Sequence, residues 1–334
     1  MKFTLFSRKR VSTVCIYLLS FCGACSADLE IIHFNVGMGD STLIRFNGNS
    51  ETVLIDAGNR GLGKKVILPA LEDLDIKEIK YFIATHYDSD HIGGFDEIFG
   101  NGIVLDTVID RGDFTDREAY TNKGNITQYG EYLEAAKSAR SRAKAEVADS
   151  CEPLSSLSFE LYFVYASGKY ISSWDKCETK ALKVDKSDDN GQSIAMLIQY
   201  KNFRYFIGGD LPGGGKNTVD IESKIAPTVG NVNVLKLNHH GSSSSSNVRF
   251  LSILQPSVAV ISVGNGGVNR SIYKLPNQLV LNNLASSTTE PPVIYLTNKG
   301  EGGVSENSKV INGHIVIRTN GYDFWVNGDF YKID

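Results

Sequence analysis

Four side chains able to ligate a metal ion fall within the six residues His86-Tyr87-Asp88-Ser89-Asp90-His91. Imidazole nitrogen with carboxylate oxygen suits Zn²⁺, Mn²⁺ or iron. Packing such groups at one point is unfavourable unless a cation offsets the repulsion and desolvation of the aspartates. A cation held there lowers the pKa of bound water and polarises an electrophile, so the chemistry these residues suggest is metal-assisted hydrolysis. One His beside one Asp would carry no such implication. The register His-x-Asp-x-Asp-His, followed by Gly93-Gly94, does.

These residues need a frame. Residues 80–85 read as a buried strand, and His86 sits just past its end. Upstream, 29–34, 41–46 and 52–55 read as strands, with the loop Asn35-Val36-Gly37-Met38-Gly39-Asp40 between the first two. Residues 64–74 carry Val66, Ile67, Ala70, Leu71 and Leu74 at helical spacing. Residues 127–148 are alanine-rich, with Tyr129, Tyr132, Leu133, Ala136 and Ala143 spaced as a surface helix. Further strands are expected at 157–165, 193–199, 205–207, 232–237, 258–263 and 293–296, then a hairpin of 314–319 and 324–326 joined by Asn320-Gly321. Strands alternating with helices, with chemistry at strand ends, belong to α/β layered folds. Without a Pro-rich linker or an internal repeat, 28–334 reads as one domain with an inserted, less regular segment at about 106–189.

Five other segments bear on the chemistry: Phe34-Asn35-Val36-Gly37-Met38-Gly39-Asp40-Ser41, Leu54-Ile55-Asp56-Ala57-Gly58, Asn190-Gly191-Gln192-Ser193, Gly208-Gly209-Asp210-Leu211 and Leu235-Lys236-Leu237-Asn238-His239-His240-Gly241-Ser242. Taken singly, Asp56 is a turn residue, Asp210 a strand-end cap, and His239-His240 surface histidines before a flexible serine run. In their order around His86–His91 they resemble the motifs of metallo-β-lactamase-fold hydrolases. The family signature is His-x-His-x-Asp-His. Asp88 in place of the second histidine is similar to the ComEC-like branch, the hydrolase-like domain of bacterial DNA-uptake proteins, and to phosphorylcholine esterases. The resemblance runs from about Leu29 to the C-terminus.

That resemblance implies an α/β fold, the αββα sandwich of two mixed sheets flanked by helices. It implies a ligand set of His86, Asp88, Asp90, His91, Asp210 and His240 for one or two divalent ions, Zn²⁺ or Mn²⁺. Asp56 would orient ligands from behind, and Asn190 and Ser193 would stand where other members place a histidine. Asp90 would orient the attacking water. His240, with His239 as second choice, would ligate or protonate the leaving group. Relatives carry a further histidine in a Gly-His-Pro segment, whereas 264–273 contain none. Its place falls to Asn269, Ser271 or Tyr273, or to nothing. Gly37-Met38-Gly39 lacks the third glycine of a dinucleotide fingerprint, and Gly213-Gly214-Gly215-Lys216 lacks the flanking residues of a P-loop.

Composition limits the setting. Lys2, Arg8, Lys9 and Arg10 precede an apolar run at 11–22 and the small residues Gly23, Ala24, Ser26 and Ala27, the order of a secretory signal peptide over 1–27. The run is short of the roughly 20 residues of a membrane-spanning helix, so no transmembrane segment is expected in the mature chain. Cys25 is an alternative lipid anchor. Beyond 27 only Cys151 and Cys177 of the five cysteines remain, an expected disulfide in a secreted or periplasmic protein. Without the four basic residues of 1–27, 30 Lys+Arg face 38 Asp+Glu, a charge of −8. That balance does not favour nucleic acid as a partner. The expected function is hydrolysis of a phosphodiester, or another small-molecule substrate, by metal-activated water. The rivals are hydrolysis of a lactone, thioester or β-lactam in the same site, and a non-catalytic binding protein that keeps the fold.

Overall fold

The computed structural model describes residues 27–99, 101–112, 118–147, 151–264 and 274–333. The expected leader 1–27, apart from Ala27, and Cys25 with it, lie outside the described residues, as do Asn269, Ser271 and Tyr273. β1 (Leu29–His33), β2 (Thr42–Phe46) and β3 (Glu51–Ile55) form an antiparallel meander that β4 (Glu78–Ile83), β5 (Val104–Asp110) and β6 (Ser141–Lys144) extend in parallel. Four helices accompany them: α1 (Leu68–Asp73), α2 (Ser89–Ile92), α3 (Phe95–Phe99) and α4 (Gln128–Ala136).

The second sheet combines the antiparallel strands β7 (Glu160–Ala166), β8 (Lys169–Ser173), β9 (Glu178–Ala181), β10 (Ile194–Tyr200) and β11 (Phe203–Ile207) with a parallel run. That run is β12 (Val234–Lys236), β13 (Val258–Ile261), β14 (Val293–Leu296) and β15 (Ser308–Val310). Helices α5 (Glu222–Val229), α6 (Val248–Leu254) and α7 (Gln278–Ser287) cover it. The chain then returns to the first sheet through β16 (Ile315–Thr319), β17 (Asp323–Val326) and β18 (Asp329–Lys332), with β16 antiparallel to β1. Among the described residues each sheet has nine strands.

Side chains alternate across a strand, so each strand feeds two cores. Ile31, Ile44 and Val53 meet Met196, Tyr205 and Val260 between the sheets. Their neighbours Ile32, Leu43 and Leu54 pack outward with Leu71, Phe95 and Tyr132. On the far side Leu197, Phe206 and Leu235 pack with Ile225, Phe250 and Leu284. The result is the helix–sheet–sheet–helix sandwich, each fully buried aliphatic contributing about 1.5–3 kcal/mol. The C-terminal ends of β3, β4, β11, β12 and β13 lie at one edge, where ligands bind in open α/β sheets.

The structure differs from the sequence reading over 127–148. The helix ends at Ala136, and Ser141–Lys144 is a strand. The open edge of β5 explains this: pairing with 141–144 satisfies its backbone groups, and Arg142 Nε donates to Asp110 at 2.9 Å. Tertiary pairing thus overrides local helix propensity. The stretch 106–189 also supplies β7, β8 and β9 and the disulfide Cys151–Cys177, with Cα atoms 5.5 Å apart. No described helix is long and apolar enough to cross a membrane.

His33 is buried between the sheets, Nδ1 3.1 Å from Thr42 Oγ1 and Nε2 3.4 Å from the Tyr205 hydroxyl. Burial and the nearby Lys236 lower its pKa from 6.5 to about 3. The unfolded chain therefore binds the proton first. His33 contributes stability above pH 6.5 that is lost as pH falls toward 3, by at most about 1.4 kcal/mol per pH unit. His33→Gln should flatten the decline of unfolding temperature over that window. An unchanged slope would show that His33 is not held neutral.

Candidate metal centre

The cluster His86–His91 follows β4, with Asp88 extended at φ −67° and ψ 148° before the single turn of α2. Asp40 ends the loop before β2, Asp56 follows β3, Asp210 follows β11 and His239-His240 follow β12. These loops interlock through the backbone. Asp40 N donates to the Asp90 carbonyl at 3.0 Å, and a Cβ on Gly39 would stand only 2.6 Å from that oxygen. Gly39, at φ 142°, is therefore a steric requirement. Asp56 sits at φ 59°, His239 at φ 51° and His240 at φ 53°. Left-handed conformations in non-glycine residues cost on the order of 1–2 kcal/mol each and persist where surrounding structure imposes them.

The imidazoles are held from behind by their Nδ1 atoms. His91 Nδ1 is 2.8 Å from Asp56 Oδ2 and His240 Nδ1 is 3.0 Å from the Ser262 carbonyl. Asp56 also accepts from Thr85 N and Thr85 Oγ1, each at 2.8 Å. Thr85 Oγ1, having given its proton to Asp56, accepts from His86 Nδ1 at 3.1 Å. Carboxylate, carbonyl and committed hydroxyl are acceptors, so each Nδ1 carries a hydrogen, and a ring that gives up its second proton presents the Nε2 lone pair forward.

Those lone pairs converge on carboxylates. His91 Nε2 is 3.3 Å from Asp210 Oδ1, and His240 Nε2 is 3.6 Å from the same oxygen and 3.4 Å from Asp90 Oδ2. His86 Nε2 is 3.6 Å from Asp88 Oδ2 and 4.0 Å from Asp210 Oδ2. His239 Nε2 is 3.5 Å from Asp210 Oδ2, with Nδ1 2.9 Å from Ser244 Oγ. Among the described residues the buried atoms His86 Nε2, His91 Nε2, His240 Nε2 and Asp210 Oδ1 make no hydrogen bond. Acceptors face acceptors here, an arrangement that a cation between them would reconcile. One set of ligand atoms within 4.8 Å comes from Asp40, His91, Asp210 and His240, another from His86, Asp88 and Asp189.

The electrostatics agree. Burial pulls His91 and His240 down, but Asp210 with Asp56 raises His91 well above the usual value, and Asp210 with Asp40 pushes His240 up to about 9. Burial would raise Asp210, yet His239, His91 and His240 hold it well below the carboxylate range. Asp40 is held near 2 against its burial, chiefly by Lys236, whose Nζ is 2.8 Å from its Oδ2. A field that favours extra protons at these nitrogens also favours a divalent cation there.

Residues 34–141 match the model of the metallo-beta-lactamase superfamily. Over that stretch the chain carries a metallo-beta-lactamase domain. ComE operon protein 3 of Bacillus subtilis (strain 168) is 26% identical over 281 residues, covering 80% of this chain and 32% of its own length. Competence protein ComA of Neisseria gonorrhoeae is 24% identical over 254 residues, covering 75% and 28%. The chain thus spans about a third of the length of the curated relatives it matches. A solved diphosphatase of the PhnP family aligns over 82% of this chain and 96% of its own, at 13% identity and a TM-score of 0.41.

Within this fold, His86, Asp88, Asp90, His91, Asp210, His239 and His240 all come together, with Asp56 directly behind His91. Asn190 Oδ1 and Ser193 Oγ hydrogen-bond to nothing among the described residues. Their neighbour Asp189 is the member of that segment whose carboxylate approaches His86 and Asp88. It also accepts from Tyr87 N at 3.0 Å and pairs with the buried Arg111. Sequence reasoning missed Asp189, Asp40, Lys236 and Thr85. Lys236, a charge inside the apolar run Val234-Leu235-Lys236-Leu237, was the available signal. The serine run is not a flexible surface loop: Ser242, Ser244, Ser245 and Ser246 are buried.

Asp56→Asn tests how the rings are held. An amide keeps one acceptor, so the proton on His91 Nδ1 loses its carboxylate partner. Metal affinity should fall about 10–100-fold with the fold intact. Affinity equal to wild type would show that the Nδ1 partners do not set the ligands.

Proposed function

We propose that this chain is an exported, metal-dependent hydrolase whose substrate is a phosphodiester. The observation that carries the hydrolase reading is the convergence of four Nε2 atoms on Asp210 and its neighbouring carboxylates. The choice of phosphodiester rests on the likeness of the motifs to the ComEC-like branch, with Asp88 in the second position. Export rests on the order of residues in 1–27 together with the disulfide Cys151–Cys177.

His86, Asp88, Asp90, His91, Asp210 and His240 would hold one or two divalent ions, Zn²⁺ or Mn²⁺, with Asp40 and Asp189 as additional carboxylates. When bound, such an ion supplies Lewis acidity and an activated water. Asp210 sits between the two groups of donors and spaces them. Asp90, a quarter exposed and 3.4 Å from His240, faces the opening and orients the attacking water. The His240 side chain is only 2% exposed and is placed as a ligand. His239, at 25% exposure, lies at the mouth and is placed to protonate the leaving group.

The two histidines separate these roles. His240→Ala should lose metal and reduce turnover alike for all leaving groups. His239→Ala should keep its metal and lose on the order of 10²–10⁴-fold in kcat on an alkyl phosphodiester, with a smaller loss on bis-(p-nitrophenyl) phosphate. Exported wild-type material should begin after residue 27 and show no alkylatable thiol. Full activity in both variants, or faster turnover of a lactone or nitrocefin than of any phosphodiester, would refute the assignment.

A further inference from the structure

The turn that carries the paired histidines is left-handed over three successive residues, His239 at φ 51°, His240 at φ 53° and Gly241 at φ 76°. Something must hold two histidines in that conformation. One side chain touches both feet of the loop. Glu222, the first residue of α5, is fully buried. Its Oε1 accepts from Asn238 Nδ2 and from Ser246 N, each at 2.7 Å, and its Oε2 accepts from Asn247 N at 2.8 Å. A single carboxylate thus ties the residue before the histidines to the end of the serine run.

We propose that Glu222 is a positioning residue for the metal centre, fixing the loop 238–247 so that His239 and His240 present their Nε2 atoms to Asp210. The inference rests on the reading that these histidines serve a metal site. The glycine run that resembles no nucleotide motif finds its role here. Gly213 packs against Glu222, and a Cβ at that position would collide with Oε2. Gly213 N also donates to the Ser244 carbonyl at 2.8 Å. The loop is clamped between carboxylate and glycine. Burial raises the Glu222 carboxyl to about 7 in spite of its hydrogen bonds, and Asp220 adds to the rise. A carboxylate is a demanding choice for such a place, and three donors converging on it account for the choice.

Helix capping elsewhere is independent of this clamp: Thr127 Oγ1 accepts from Gly130 N at 3.1 Å and caps α4. This separation makes the role testable in the full chain by Co²⁺ titration, with the visible absorption of the bound ion reporting its ligand geometry. Glu222→Gln replaces one acceptor with a donor facing Asn247 N. It should weaken Co²⁺ binding about 10–100-fold and change the spectrum, while the metal-free form unfolds near the wild-type temperature. Gly213→Ala keeps the carboxylate but displaces it, and should give the same loss. Thr127→Ala should lower the unfolding temperature through the lost cap and leave affinity unchanged. Wild-type affinity and spectrum in both Glu222→Gln and Gly213→Ala would overturn the inference, as would failure of both to fold, which would make Glu222 purely structural. If Glu222→Gln alone does not fold, Gly213→Ala decides. A wild type that binds no Co²⁺ would instead overturn the reading of the centre itself.

Discussion

Acceptor atoms face one another at the edge where the two sheets meet, and the rest of the structure is arranged around that conflict. Asp210 Oδ1 lies 3.3 Å from one imidazole lone pair and 3.6 Å from another, in a place removed from water. Left alone, such a cluster opposes folding, because buried polar atoms without partners and adjacent carboxylates are both unfavourable. A cation would convert the same geometry into a stabilising one. The fold therefore brings together groups that would otherwise repel.

Holding them together requires long-range ties. Asp40, in the loop before β2 of the first sheet, and Lys236, on β12 of the second, form a buried ion pair at 2.8 Å, and Lys236 Nζ also donates to the Leu237 carbonyl at 3.0 Å. An isolated buried ion pair is weak evidence of stability. This one joins the two halves of the sandwich at a residue of the ligand group, and among the described residues Asp40 Oδ1 makes no hydrogen bond. Asp56 and Thr85 do similar work on the first sheet, and Ile194 N, at the start of β10, bonds the Thr85 carbonyl at 2.9 Å. The site is a seam between two sheets as much as a pocket in one.

Much of the frame was legible because strands that alternate between two cores write that alternation into residues such as Ile31-Ile32 and Leu43-Ile44. The ligand motif was legible because its donors are local, within His86–His91. What escaped depends on contacts distant in sequence. Lys236 and Asp40 are 196 positions apart, and neither announces its partner. Asp189 adjoins the quoted motif at Asn190, yet only packing shows which of the two approaches His86 and Asp88. The end of α4 was misread for a related reason: local alanine content favoured helix, and the open edge of β5, built from residues some 30 positions earlier, favoured strand. The buried serines of 242–246 look like linker composition, and their burial follows from the clamp on the histidine turn.

The central claim is that the buried His/Asp cluster exists to hold a divalent cation. Elemental analysis of the purified chain before and after chelation, with unfolding temperature measured in parallel, tests it most directly. The purified chain should carry about one to two equivalents of divalent metal. Chelation should lower the unfolding temperature, and added Zn²⁺ or Mn²⁺ should restore it by linkage. A chain that carries no stoichiometric metal, and whose unfolding temperature neither chelator nor metal shifts, would contradict it.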